Sequence, residues 1–360
     1  MFDREKVKET FIDLIKIYSP SGKEEKVASY IIKFLKNIGA KIQKDNYGNV
    51  IAKIEGEGKP IALVAHMDTV EPSKDIKPIF GKDLIKSDGT TILGADDKAG
   101  ITEILIAIEY LKKNKIKHRS VELIFTKEEE IGLRGASNLD FSKIISKEAL
   151  VIDSCNPLGT IIIGSPYIFV INIIVYGREA HSGADPEKGV NAISIASKAI
   201  SKVKTGKINK NTSLNIGIIK GGKSFNIVPD KVEITAEVRS YIKDDAIKKI
   251  KSLKKAFCDC AQIHKMPYYF KHKLVCKGYL YSKNDNLIKA ISKINKKVGI
   301  KTNYKITGSG SDVNALVANN IKAVDIAYGG KNVHTTKESI RLSEIIKMGE
   351  FLVEFLKGYE

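Results

Sequence analysis

Ile61-Ala62-Leu63-Val64-Ala65-His66-Met67-Asp68 decides the architecture, because five apolar residues of strand length end in an imidazole and a carboxylate. A continuous apolar run reads as a strand buried on both faces. Ligand-type side chains at its carboxyl end lie where open α/β sheets bind their ligands. The same grammar recurs along the chain. Residues 121–125 lead into Glu128-Glu129-Glu130, residues 149–152 into Asp153, and residues 323–327 through Tyr328-Gly329-Gly330 to His334. Residues 98–114 have helical periodicity and follow Gly94-Ala95-Asp96-Asp97. Further helices are expected over 3–18, 23–38, 286–297 and 342–356. Strands alternating with helices predict an α/β fold with a mostly parallel sheet and helices on both faces.

From about residue 168 the texture changes to long β-branched runs over 168–176, 212–220, 231–239 and 268–275, with helical patterns over 191–203 and 244–262. This reads as a smaller, antiparallel α+β domain inserted into the first. The expected division is 1–166 and 277–360 for the two parts of the α/β domain, and 167–276 for the insert.

With 360 residues, 43% of them apolar, the chain can bury a core in two domains. The formal charge of +18 raises the question of a nucleic-acid partner. The lysines are spread over helix faces, as in Lys248-Lys249-Lys251-Lys254-Lys255, with no interleaved aromatic motif, so no nucleic-acid partner is expected. No apolar run approaches the roughly 18 residues of a membrane span, and residues 1–25 lack a signal-peptide pattern. Four cysteines are too few for a disulfide framework, and a reduced, cytoplasmic setting is expected. Cys258-Asp259-Cys260 has no second Cys or His pair at zinc-finger spacing. His118, His264 and His272 lie among lysines and are expected to be solvated.

Each motif has a plain reading beside its chemical one. In His66-x-Asp68 an extended backbone puts both side chains on one side, where the carboxylate can fix the histidine tautomer. Asp96-Asp97 could bridge two cations, or Asp97 could simply cap the following helix. Glu129 and Glu130, in extended backbone, would point apart, one toward water and one toward an ion; a solvated acidic loop is the alternative. Ser182, after His181, lacks the base and acid of a nucleophilic triad at any recognisable spacing. Gly308-Ser309-Gly310-Ser311-Asp312 is glycine-rich but has neither a P-loop lysine nor a dinucleotide fingerprint. Two histidines and several carboxylates at five strand ends together suit a pair of divalent cations, with one carboxylate shared and one left as a base.

The ordered set His66-x-Asp68, Gly94-Ala95-Asp96-Asp97-Lys98-Ala99-Gly100, Glu129-Glu130-x-Gly132, Asp153 and His334 resembles the co-catalytic zinc exopeptidases that include tripeptide aminopeptidases, carboxypeptidase G and the acetylornithine deacetylases. The shorter peptidase T-like members are most similar in texture, and the resemblance covers nearly the whole chain. It implies one zinc on His66, Asp96 and Asp153 and another on Asp96, Glu130 and His334, with Mn2+ or Co2+ able to substitute. Asp96 would bridge, Asp68 would orient His66, and Glu129 would shuttle the proton of the water between the metals. In the insert, His181 would stabilise the oxyanion, and Asn226 and Arg239 would bind substrate, as would Gly308 and Ser309 in the α/β domain. The substrate implied is a short peptide cut from its N-terminus. Asp rather than Glu at position 153 tilts the reading toward peptidases over deacetylases. A carboxypeptidase or an N-acyl amino acid amidohydrolase would use the same centre, and a non-catalytic binder would have no use for Glu129. The resemblance also suggests a homodimer through the insert, with His181 serving its own or the neighbouring subunit.

Overall fold

The computed structural model of the chain describes residues 2–358. The chain divides into two compact units: one runs up to Ile163 and resumes at Tyr281, and the other is Gly164–Leu280.

In the first unit the central strands are Arg119–Thr126, Glu57–His66, Glu148–Ser154 and Lys322–Ala327, side by side in that order and all parallel. Lys41–Lys44 and Val50–Ile54 extend one edge and Thr160–Ser165 the other, in antiparallel pairing. Mixed edges therefore flank a parallel centre. Ile61, Ala62, Leu63, Val64 and Ala65 are all buried, as are Leu123, Ile124 and Phe125 beside them. The lack of alternation follows from cover on both faces. The helix Ala95–Lys113 packs on the Glu57–His66 and Glu148–Ser154 strands and against the helices Arg4–Lys16 and Leu342–Gly358, whereas Asp312–Ala318 packs on Glu148–Ser154 and Lys322–Ala327. Ile104, Leu105, Ile108, Phe351 and Phe355 are fully buried in this core. Each such side chain contributes about 1.5–3 kcal/mol relative to exposure. A Cβ at Gly100 would fall 2.4 Å from the Ile152 carbonyl oxygen, so only glycine lets the helix start lie against the strand that ends in Asp153.

The second unit is an antiparallel sheet, ordered Gly206–Lys207, Thr212–Gly221, Lys231–Ser240, Tyr167–Tyr176, Tyr268–Cys276, packed by the helices Ala192–Ser201 and Lys243–Ile263. Its central strand alternates strictly: Val232, Ile234, Ala236 and Val238 are buried between more exposed neighbours. One covered face and one open face produce that period of two.

Two expectations need correction. His118 is buried, not solvated, with its Nδ1 2.8 Å from the Arg119 carbonyl oxygen; His264 is half-buried, and His272 is exposed as expected. The stretch after Thr126 is not extended, because Glu128 has φ +51 and the amides of Gly132 and Leu133 turn back onto the Glu129 carbonyl. No helix among the described residues is long and apolar enough to cross a membrane.

Candidate active site

The parallel strands deliver their side chains at one end. His66 is the last residue of Glu57–His66, Asp153 lies next to the end of Glu148–Ser154, and Glu129 and Glu130 lie in the turn that follows Arg119–Thr126, after Lys127 and Glu128. Asp96 stands at the start of the helix Ala95–Lys113, joined to Asp97 by a cis peptide bond, and His334 lies in the loop beyond Lys322–Ala327. The five positions converge.

Asp96 lies between two imidazoles. Its Oδ1 is 3.2 Å from Nε2 of His66, and its Oδ2 is 3.2 Å from Nε2 of His334. On one side Asp153 Oδ1 completes a group at 3.7 Å from His66 Nε2; on the other, Glu130 Oε1 lies 2.8 Å from His334 Nε2. Both triads have donor atoms within 4.8 Å of one another, as does a third group of His66, Glu129 and Glu130. Asp68 supports this arrangement from behind. Its Oδ1 lies 3.3 Å from His66 Nδ1 and accepts the Glu129 amide at 3.0 Å, while its Oδ2 accepts the Glu130 amide at 3.1 Å and the Ser21 hydroxyl at 2.6 Å. One buried carboxylate thus fixes the ring of His66 and the backbone that aims both glutamates.

Asp97 serves differently from its neighbour. Its Oδ1 accepts the Gly100 amide at 3.2 Å, capping the helix proper, and its Oδ2 accepts the His66 amide at 3.1 Å. The capping reading of Asp97 and the ligand geometry of Asp96 hold together.

The electrostatics are those of several buried carboxylates held close together beside two imidazoles. Burial pushes Asp153 up to about 8, with Asp96 and Asp312 adding to the shift. Burial raises Glu129 well above the usual glutamate range, reinforced by the charge of Asp153. Burial also opposes ionisation of Asp96, but hydrogen bonds from His334 and His66 bring it down to about 2. Hydrogen bonds to Asp96 and Glu130 lift His334 to about 10. Clustered carboxylates that cannot all ionise, facing two imidazole nitrogens, match the donor set of hard and borderline divalent cations. The residues fit a metal centre.

Asp312, Lys98 and Glu338 also belong to this region and escaped the sequence reading. Asp312 is buried and accepts the Thr126 hydroxyl at 2.5 Å; burial pushes its carboxyl up to about 6. Lys98 is buried with its ammonium on Ser19 Oγ at 2.8 Å and on the Met67 carbonyl, and burial brings it down to about 8. A signal for Asp312 existed, since it closes the glycine-rich stretch from Gly308. Gly308 and Ser309 themselves are exposed, Ser309 bonding back to Thr307.

The second unit holds the remaining candidates. His181 and Asn226 are exposed on adjoining loops, joined by the Ser182 amide on the Asn226 carbonyl at 3.1 Å. His181 Nδ1 accepts the amides of Gly183 at 3.2 Å and Ala184 at 3.1 Å. The ring proton of the neutral form is therefore on Nε2, which points a donor outward. Arg239 spends its fork on Glu237, Nε to Oε1 at 2.6 Å and one terminal nitrogen to Oε2 at 3.0 Å.

Comparisons with known proteins agree with this picture. A family model described as a peptidase dimerisation domain, of the M20 peptidases, matches residues 165–259, and one described as peptidase family M28 matches residues 49–152. The structure is similar to that of the aminopeptidase PepT from Bacillus cereus, with a TM-score of 0.94 at 34% identity over 99% of this chain and 98% of that one. It is similar also to a tripeptidase from Staphylococcus aureus, with a TM-score of 0.92 at 30% identity and the same coverage. An uncharacterized protein of Bacillus subtilis, YqjE, is 34% identical over 99% of both chains. Fold and donor set together define a metal-binding peptidase. The chain belongs to the M20 peptidases, among their peptidase T-like members.

Proposed function

We propose that the protein is a dinuclear-zinc aminopeptidase that removes the N-terminal residue of tripeptides or other short peptides. The observation that carries this reading is Asp96, whose two oxygens each face a different histidine at 3.2 Å. His66, Asp96 and Asp153 would hold one cation, and Asp96, Glu130 and His334 the other, with Mn2+ or Co2+ as alternatives. When bound, such a pair polarises the scissile carbonyl and makes a water nucleophilic at neutral pH. Glu129, held by its backbone to Asp68, would take a proton from the attacking water and return it to the leaving amine. Burial raises its carboxyl well above the usual glutamate range, and an ionised carboxylate of raised pKa is a stronger base than an exposed one. His181 offers the developing oxyanion its Nε2 proton, Asn226 on the adjoining loop binds substrate, and Arg239 meets the peptide carboxylate, for which it must share or leave Glu237. Gly308 and Ser309 line the substrate in the first unit. The match to a dimerisation domain supports a homodimer through the second unit. Four unpaired cysteines fit a cytoplasmic setting.

The names of two similar structures, an aminopeptidase and a tripeptidase, support the substrate class. The test is to strip the protein of metal, reload it with zinc, and offer a free tripeptide, its N-acetylated form and its C-amidated form, identifying products by mass. Release of the N-terminal residue, blocked by acetylation, is the expected result. Release of the C-terminal residue, or hydrolysis of the acetyl group, would replace the reading with a carboxypeptidase or an N-acyl amino acid amidohydrolase.

A further inference from the structure

Glu338 is fully buried four residues after His334, and none of the roles above employs it. Its carboxylate accepts three backbone amides of one short stretch: Oε2 those of Leu93 at 2.7 Å and Gly94 at 2.8 Å, and Oε1 that of Asp96 at 3.1 Å. Asp96 and Asp97 depart from helical φ/ψ, and Gly94 before them is left-handed, so the helix that follows cannot satisfy these amides. A buried amide must find a partner, and here it comes from 242 residues away for Asp96.

The segment bearing Glu338 is itself closed. Lys331 and Ser339 exchange both backbone hydrogen bonds, at 2.9 and 3.0 Å, and the Glu338 amide bonds the Thr335 carbonyl at 3.1 Å. Ser87 donates to the Glu338 carbonyl at 3.0 Å. Inside that loop His334 takes a left-handed φ of +63. A single closed loop thus presents an imidazole to Asp96 Oδ2 and, four residues on, clamps the backbone that carries Asp96.

We infer that Glu338 is a positioning residue that fixes the separation of the Asp96 carboxylate from the His334 imidazole, and thereby sets the metal affinity of the centre. The inference rests on the dinuclear reading above. Asp96 faces both histidines, so loosening its backbone degrades both triads at once. Groups that orient metal ligands in this way typically account for a 10–100-fold difference in affinity.

A merely structural buried glutamate would cost stability and leave metal binding alone. Glu122 supplies the control: it is 2% exposed and accepts the amides of Ile145 at 3.0 Å and Ser146 at 2.8 Å and the Ser146 hydroxyl at 2.6 Å, midway along the strand whose end leads to Glu129. The experiment compares wild type, Glu338→Gln and Glu122→Gln, each stripped of metal, by thermal melting and by zinc titration against a chromogenic chelator. A Gln side chain keeps one acceptor and sets an amide nitrogen against the remaining donors. Both variants should melt earlier without metal, but only Glu338→Gln should bind zinc more weakly, by roughly 10–100-fold, with peptidase activity returning as zinc is raised. Zinc affinity in Glu338→Gln equal to that of the wild type would overturn the inference. If Glu338→Gln does not fold, Glu338→Asp, which keeps the charge and shortens the reach by one methylene, carries the same expectation and the same refutation. A wild-type protein that binds no zinc would instead overturn the dinuclear reading.

Discussion

The two units of this chain are prepared for chemistry to different degrees. In the first, three of the candidate ligands are held by other residues: Asp68 braces His66 and the backbone of both glutamates, Asp97 braces the His66 amide, and Glu338 braces the backbone of Asp96, while His334 stands exposed in its loop. In the second, His181 and Asn226 are exposed on loops and Arg239 is occupied by Glu237. Parallel strands buried on both faces end at fixed points, and whatever follows them inherits that rigidity. The open face and loops of an antiparallel sheet give no such anchorage. A centre that must hold cations at set distances belongs on the first kind of scaffold, whereas groups that meet a variable peptide can sit on the second.

The largest effect should come from the rigid side of this contrast. Glu129→Gln keeps the shape and the amide bond to Asp68 but removes the base, so kcat should fall by about 10²–10⁴ while zinc content stays at the wild-type level. Loss of zinc along with activity would mean that Glu129 is a ligand, which the third donor group of His66, Glu129 and Glu130 would then explain.

His181→Ala probes the looser side. Removing one oxyanion donor should lower kcat by about 10²–10³, with metal affinity and the melting of the metal-free protein unchanged, since the ring is exposed and bonds only its own loop. A drop confined to KM would make His181 a substrate contact and would widen the gap between the units. An unchanged kcat and KM would remove the second unit from the chemistry altogether.

The same contrast explains what could be read without a structure. The α/β pattern, the inserted antiparallel texture and the positions of His66, Asp96, Glu130, Asp153 and His334 were legible because each depends on a local signal: an apolar run followed by a ligand-type residue, or, for Asp96, a glycine-flanked acidic pair at a helix start. Glu338 was not, and Asp312 was visible only as the end of a glycine-rich stretch. Their partners are 242 and 186 residues away, and in sequence each is one acidic residue beside glycines, serines or threonines. His118 misled for the same reason: the lysines around it are neighbours in sequence, but the ring packs inward at the edge of a strand. The pairing of Arg239 with Glu237 lies two residues along one strand, where both side chains share a face, and it could have been foreseen.

The smallest effect concerns protons, and it separates the units most cleanly. Without metal, native His334 holds its proton up to about 10 and native Asp153 up to about 8, whereas the unfolded chain releases them near the ordinary histidine and aspartate values. The native state therefore binds more protons than the unfolded one from the ordinary aspartate value up to about 8, and stability must fall as pH rises through that window; above it Lys98, brought down to about 8, works against His334. Asp96 works in the opposite sense at the acid end: brought down to about 2, it lends stability above the ordinary aspartate value that is lost as pH falls toward its own. Metal-free protein should thus be most stable in mildly acid solution, and its melting temperature should drop by a few degrees between mildly acid and mildly alkaline buffer. In the second unit the groups raised to about 12, Tyr268 and Cys276, titrate above that window and contribute nothing to the slope. Zinc should flatten or reverse the trend, because cations displace the same protons and bind more tightly as pH rises. Calorimetry of metal-free and zinc-loaded protein across this range decides the matter: a metal-free melting temperature that is flat or rising would mean that the carboxylates already share their charge without help, and that the first unit is no more committed to a cation than the second.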